Sequence, residues 1–159
     1  MAGHADYTPV HFGERRADTT WAHQIATAAV FTAPLLTYAA HPESLLENPA
    51  VEMIKSIPAT WDETIVLPGS EIGEVAVFAR RTGDTWFLAV VNGPAERELN
   101  IPLSFLGEGE YESLSLRDDG SETAAVEVEE STAEPGDSLA VQLTRGGGFI
   151  ARFVKAGDR

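Results

Sequence analysis

The spacing of the apolar residues changes at Trp61, and this change constrains the fold more than any other feature of the chain. Before Trp61, apolar side chains recur three or four residues apart, which is typical of helices. After it, short apolar or alternating runs are separated by turn residues, which is typical of β-strands. The part before Trp61 is too short and too open to bury a core by itself. We therefore expect the chain to be part of a larger protein.

Two helices and one strand are predicted before Trp61. The first helix is expected from about Trp21 to Phe31, after a threonine cap. The second is expected from about Asn48 to Ile57, where Pro58 ends it. Between them, the apolar run Pro34–Ala39 is predicted to be a strand buried on both faces. Because a strand that follows a helix indicates βα units, we predict an α/β fragment here.

Seven strands are predicted after Trp61, and together they indicate an antiparallel β-sandwich. The most apolar run, Thr85–Val91, is typical of a central strand, and it pairs with Glu74–Arg81 in a hairpin. The glycine run Gly146–Gly148 lacks the lysine and the helix of a phosphate loop and is interpreted as a strand connection. The other strands are expected at Arg97–Leu103, Tyr111–Arg117, Thr123–Glu129, Leu139–Thr144 and Phe149–Val154.

The chain is strongly acidic. It carries 25 acidic and 11 basic residues, and two of the basic residues, Lys55 and Lys155, are lysines. A net charge of -14 argues against a nucleic-acid partner, because binding to phosphates needs a basic surface. Adaptation to high salt is the interpretation we favour, since dissolved ions screen repulsion among acidic groups. A mildly acidic cytosolic or secreted protein is the alternative.

Several kinds of segment and site are missing from the sequence. No apolar run reaches the roughly 18 residues that a membrane span needs, and the first residues lack the pattern of an export signal. We therefore expect a soluble protein that does not bind membranes, and the sequence does not define its compartment. The absence of cysteine excludes disulfides, thiolate metal sites and a cysteine nucleophile.

A set of short strings is spread in order over almost the whole chain. Their order and spacing resemble the C-terminal region of glycoside hydrolase family 97, which holds α-glucosidases and α-galactosidases. The strings are Ala2-Gly3, Asp6-Tyr7-Thr8-Pro9, Ala22-His23-Gln24, Pro34-Leu35, Val51 to Lys55, Ile57-Pro58, Trp61-Asp62-Glu63-Thr64, Gly73-Glu74, Ala79-Arg80-Arg81, Trp86, Leu103-Ser104-Phe105-Leu106 and Gly146-Gly147-Gly148.

The resemblance implies two parts. Residues 1–58 would be the C-terminal remnant of a (β/α)8 catalytic barrel, and residues 59–159 a C-terminal β-sandwich domain. The larger protein would be a calcium-dependent α-glycoside hydrolase of the α-glucosidase type, acting on α-linked oligosaccharides. Its catalytic acid, its nucleophile or base, and its calcium-binding glutamates would lie upstream. We therefore expect no catalytic residue, metal ligand or cofactor in this chain, which supplies scaffold and pocket rim.

Asp6 and Tyr7 are the candidate substrate-binding residues. The resemblance places them at the end of a barrel strand, which is the rim where barrel enzymes build their sites. The alternative is that the pair holds a tight loop before Pro9. The four histidines do not have the spacing of a metal cluster, and His23 is interpreted as structural.

Three alternatives follow from the same residues. Trp61 and Trp86 could stack on sugar rings, although core packing is the simpler interpretation. The β-sandwich could then be a non-catalytic carbohydrate-binding or interaction module in its own right. The chain could also be a decayed or mis-split gene product with no role of its own.

An incomplete barrel has a physical consequence. The apolar faces of the first helix and of Pro34–Ala39 would lack their neighbours, so they must find a partner or stay mobile. We therefore expect lower local order before residue 58, or self-association through the exposed barrel remnant.

Overall fold

Two antiparallel sheets form the larger part of the fold. The computed structural model describes residues 7–157. A six-stranded sheet has the order β1-β2-β3-β8-β5-β6, and β4 pairs with β7 in a second sheet. The strands are β1 Glu63–Val66, β2 Val75–Thr82, β3 Thr85–Asn92, β4 Arg97–Pro102, β5 Tyr111–Asp118, β6 Val126–Ala133, β7 Ser138–Leu143 and β8 Gly148–Lys155.

All seven predicted strands are confirmed. The apolar strand β3 lies between β2 and β8, as its composition predicts, and Gly146–Gly148 connects β7 to β8. The largest shift is at β6, which begins at Val126 and ends at Ala133. Sequence analysis missed β1, because it has four residues, of which three are exposed, and so lacks a clear apolar pattern.

The six-stranded sheet separates two hydrophobic cores. On one face, side chains such as Leu88 and Phe153 pack against Val141 of the small sheet. On the other face, Phe87 and Ile150 belong to a core that includes the first helix. The alternation of side chains along each strand produces this division, because successive residues point to opposite faces.

In residues 7–157, three short α-helices precede the strands: α1 Trp21–Val30, α2 Pro42–Leu46 and α3 Val51–Ser56, with a 3-10 helix at Glu14–Arg16 before α1. Helix α1 begins where predicted, and the Thr20 side chain accepts a hydrogen bond from the His23 backbone N–H. Helix α2, which begins with a proline at its first turn, was not predicted. Within residues 7–157, no helix is both long and apolar enough to cross a lipid bilayer.

The predicted strand at Pro34–Ala39 is wrong. This segment has no strand pairing, and its backbone is held by a hydrogen bond from the Ala39 N–H to the Pro9 carbonyl. Tyr38 donates its hydroxyl to the Ile54 carbonyl of α3 at 3.0 Å, while Leu35 is 84% exposed. Apolar composition alone cannot make a strand without a neighbouring strand to complete its backbone hydrogen bonds. The part of the chain from residue 7 to residue 57 is therefore helical and irregular rather than α/β.

Helix α1 has its partner inside this chain. Eight of its ten residues are buried, and it lies on β3, β5 and β8 while α3 contributes to the same core. The expectation that its apolar face lacks a neighbour is thus wrong. Helix α1 can approach β8 closely because Gly148 has no side chain. A Cβ atom at this position would lie 2.3 Å from the His23 Cα atom. The division of the chain at residue 58 stays a prediction.

Replacing Gly148 by alanine tests this seating. We expect Gly148→Ala to lower the free energy of unfolding by about 3 kcal/mol, because the new methyl group would force α1 away from the sheet. The measurement is urea unfolding followed by circular dichroism. Gly120→Ala is the matched control, since a Cβ atom there meets no atom within 4 Å. Equal stability of the two variants would contradict the close seating.

Candidate functional site

The N-terminal end of α1 is fixed by a buried carboxylate. Asp118, the last residue of β5, accepts hydrogen bonds from the hydroxyl of Thr20 at 2.6 Å and from that of Thr144 at 3.0 Å. The backbone N–H of Gly148 also donates to it at 3.1 Å. Since the Thr20 hydroxyl oxygen accepts from His23, one continuous hydrogen-bonded chain joins the helix cap to the sheet.

His23 sits in the first turn of α1, against the glycine run. Its Nδ1 lies 3.1 Å from the Gly147 carbonyl oxygen, which can only accept, so the ring carries a proton on Nδ1. Burial lowers the pKa of His23 below its ordinary value of 6.5, although the bond to Gly147 and the Asp118 charge offset part of this effect. The structural interpretation of His23 is supported.

The C-terminal end of α1 is fixed by Arg80 of β2. The Arg80 guanidinium donates to the Val30 carbonyl at 2.9 Å and to the Thr32 hydroxyl at 3.0 Å. It lies over the Trp61 ring, 5.6 Å from the ring centroid, and Trp61 in turn meets Phe87 edge-on. A cation at this end is favourable, because the carbonyl groups of the last helical turn carry partial negative charge.

These two attachments determine where the residues that flank α1 lie. Tyr7, one of the two predicted substrate-binding residues, packs its ring 4.8 Å from that of Phe31, the residue that ends the helix. Phe31 and Leu35 are exposed. Asp6, the other predicted residue, lies outside the described residues. The structure thus packs Tyr7 against the exposed ring of Phe31, and its role in a sugar pocket stays a prediction.

Glycoside hydrolysis requires a pair of acidic side chains on either side of the bond that is broken. A groove of about 830 Å³ between β4–β7 and β5–β6 is lined by Glu96, Glu98 and Glu127. Its buried carboxylate, Asp118, already accepts the hydrogen bonds that hold α1. Hydrogen bonds lower the pKa of Asp119 and of Glu43, which is opposite to what a general acid needs. In residues 7–157, no three His, Asp or Glu side chains are grouped to hold a metal ion.

The two tryptophans singled out for sugar stacking both pack against neighbouring side chains. Trp86 is 7% exposed, Phe105 packs 5.3 Å from its centroid, and the Arg81 guanidinium lies over the ring. Trp61 is half-buried, with Arg80 over one face of its ring and Phe87 in an edge contact. A sugar needs a free aromatic face for stacking. Core packing is therefore the role that this geometry supports for Trp86. Trp61 also packs against the second core, although it stays partly exposed.

Comparison with known families agrees with this architecture. Residues 60–154 match the family model described as "Glycosyl-hydrolase 97 C-terminal, oligomerisation". The match covers more than half of the chain and includes all eight strands except the last residue of β8. The chain therefore belongs to glycoside hydrolase family 97, of which it represents the C-terminal region.

Individual relatives extend the match to the residues before Trp61. A retaining α-galactosidase of Bacteroides thetaiotaomicron is 31% identical over 96% of this chain, and a probable retaining α-galactosidase of Streptomyces bingchenggensis is 30% identical over 95%. A family 97 enzyme of Pseudoalteromonas sp. strain K8, solved with acarbose, superimposes with a TM-score of 0.88 at 28% identity over 96% of this chain. The chain spans 23%, 24% and 26% of these three proteins.

The lowered pKa of His23 predicts how stability depends on pH. In the unfolded chain the imidazole takes up a proton near pH 6.5, whereas in the folded chain it does so at a lower pH. The free energy of unfolding should therefore fall as the pH drops below about 6.5. His23→Gln can keep a donor towards Gly147 and should lose this part of the pH dependence. Urea unfolding of both proteins between about pH 7 and 5 measures the difference, and parallel curves would contradict the prediction.

Proposed function

We propose that this chain is the non-catalytic C-terminal part of an enzyme that hydrolyses α-glycosidic bonds. The likeness to a family 97 enzyme across 96% of the chain, with a TM-score of 0.88, carries the proposal. The two curated relatives are named as α-galactosidases, whereas the sequence strings suggested the α-glucosidase type. We therefore propose α-linked galactosides and glucosides as the two substrate classes of the intact enzyme.

Residues up to about 58 would then belong to the edge of the catalytic barrel. The likeness to the family 97 enzyme over 96% of this chain supports this, because it includes the residues before Trp61. Helix α1 would then join the barrel edge to the β-domain through Asp118 and Arg80. The exposed side chains of Phe31 and Leu35 would meet the rest of the barrel, with Tyr7 and Asp6 near the pocket rim. Calcium, which the resemblance implies for the intact enzyme, would be held by upstream residues.

The β-domain would also hold copies of the enzyme together. The description of the matching family model names oligomerisation. The matching residues 60–154 are those that form the two sheets. Sequence analysis expected self-association through the barrel remnant instead. We propose the β-domain as the associating part, because the barrel remnant would be covered in the intact enzyme.

Activity and sugar binding of the purified chain test this proposal. We expect no hydrolysis of aryl α-galactosides or aryl α-glucosides, because the reaction needs two converging carboxyl groups and the one buried carboxylate in residues 7–157, Asp118, already holds α1. Calorimetric titration with α-galactosides and with the maltose and isomaltose series should give no heat. Robust hydrolysis would overturn the non-catalytic role. Heat that disappears in Trp86→Ala without unfolding would favour the carbohydrate-binding module.

A further inference from the structure

The six-stranded sheet ends in two open edges, β1 and β6. In residues 7–157, no backbone hydrogen bond beyond the strand pairing involves either strand. The Leu67 N–H donates to the Val77 carbonyl, so the N–H and C=O groups of Thr64 and Val66 point away from β2. Open edges of this kind can pair with another chain.

The two edges differ in charge. Three of the eight residues of β6 are glutamates: Glu127, Glu129 and Glu130. If β6 paired with a second copy of itself about its centre, Glu129 or Glu130 would lie opposite its own copy, and like charges directly opposite destabilise a sheet. Strand β1 has one acid, Glu63, which already pairs with Arg81 at 3.2 Å. Pairing centred on Ile65 places Glu63 opposite Leu67 of the copy.

Exposed apolar side chains also favour the β1 edge. Of the large apolar residues in residues 60–154, Val66 is 60% exposed, Ile72 is fully exposed and Val128 is 44% exposed. Ile72 lies in the turn that follows β1. That turn is ordered, because the Ser70 hydroxyl bridges the backbone of Val77 at 2.9 and 3.1 Å. The β1 edge thus has two exposed large apolar side chains, Val66 and Ile72, whereas the β6 edge has Val128.

We propose that a second copy of this chain pairs with β1 in an antiparallel arrangement about a two-fold axis at Ile65. This inference rests on the self-association in the proposed function and names its surface. The two six-stranded sheets become one continuous sheet. Thr64 then lies opposite Val66 of the copy, and the turn with Ile72 lies beside the start of the copy's β1. The isologous contact closes at two copies, so it produces a dimer rather than a fibre.

The net charge of -14 adds a dependence on salt. Two copies of so acidic a chain repel each other over distances of about 10 Å at moderate ionic strength. The dimer should therefore become tighter as salt is raised. A contact formed by ion pairs would instead become weaker, because salt also screens attraction between opposite charges.

Sedimentation equilibrium of the whole chain at about 0.15 M salt and at about 1 M salt tests the inference. Two variants target the edge. Thr64→Pro removes an outward N–H without touching the β1–β2 bonds, and Val66→Glu places a charge in the contact. Each should raise the dissociation constant of the dimer by about tenfold or more.

Two further variants are controls. Val128→Glu adds the same charge to the other edge, and Leu35→Ser lies in the barrel remnant. Each should change the dissociation constant by less than about twofold. Urea midpoints verify that each variant is folded.

The outcomes separate the inference from the proposed function. A dimer that resists both β1 variants, or one that is lost in Val128→Glu or Leu35→Ser, overturns the β1 surface but leaves self-association intact. A wild-type chain that stays monomeric at both salt concentrations overturns the inference and the self-association together. Neither result changes the proposed role as the non-catalytic part of a glycoside hydrolase, which the hydrolysis and calorimetry experiments test separately.

Discussion

The architecture depends on how closely α1 approaches the six-stranded sheet. The backbone of the helix meets β8 at Gly148, where there is no room for a side chain. This proximity lets Thr20 reach Asp118 and lets Arg80 reach the last helical carbonyls. Each bond satisfies a group that would otherwise be buried without a partner, and that would cost about 1–3 kcal/mol. The helix is therefore fixed in position at both ends.

This attachment links the two parts of the chain into one unit. The second core contains residues from before and after Trp61, and Trp61 itself packs between Arg80 and Phe87. A change in the β-domain can thus displace Phe31 and its neighbour Tyr7 through α1. In the proposed enzyme, the β-domain would support one side of the catalytic barrel mechanically. Such support needs no catalytic residue in the β-domain.

The acidic composition limits where the surface of the protein can associate with a second copy. Most acids lie on exposed strand positions and in turns, while Asp118 is the exception because three donors surround it. A surface of one sign disfavours self-association except where the charge is locally low. Strand β1 is such a place, since its single glutamate is paired with Arg81. The low local charge and the open sheet edge therefore both favour β1 as the surface for self-association.

The sequence by itself determined seven of the eight strands, the first helix and the family, because these follow from local periodicity, from turn residues and from short strings in a characteristic order. It could also exclude thiol chemistry, since the chain has no cysteine. Only the tertiary structure decided that Pro34–Ala39 is not a strand, because strand formation depends on neighbours distant in sequence. The roles of Asp118 and Arg80 were likewise decided by the tertiary structure. Nothing in their local sequence distinguishes them from the other charged residues, and their roles arise where α1 meets strands that lie 50 to 98 positions further along the chain.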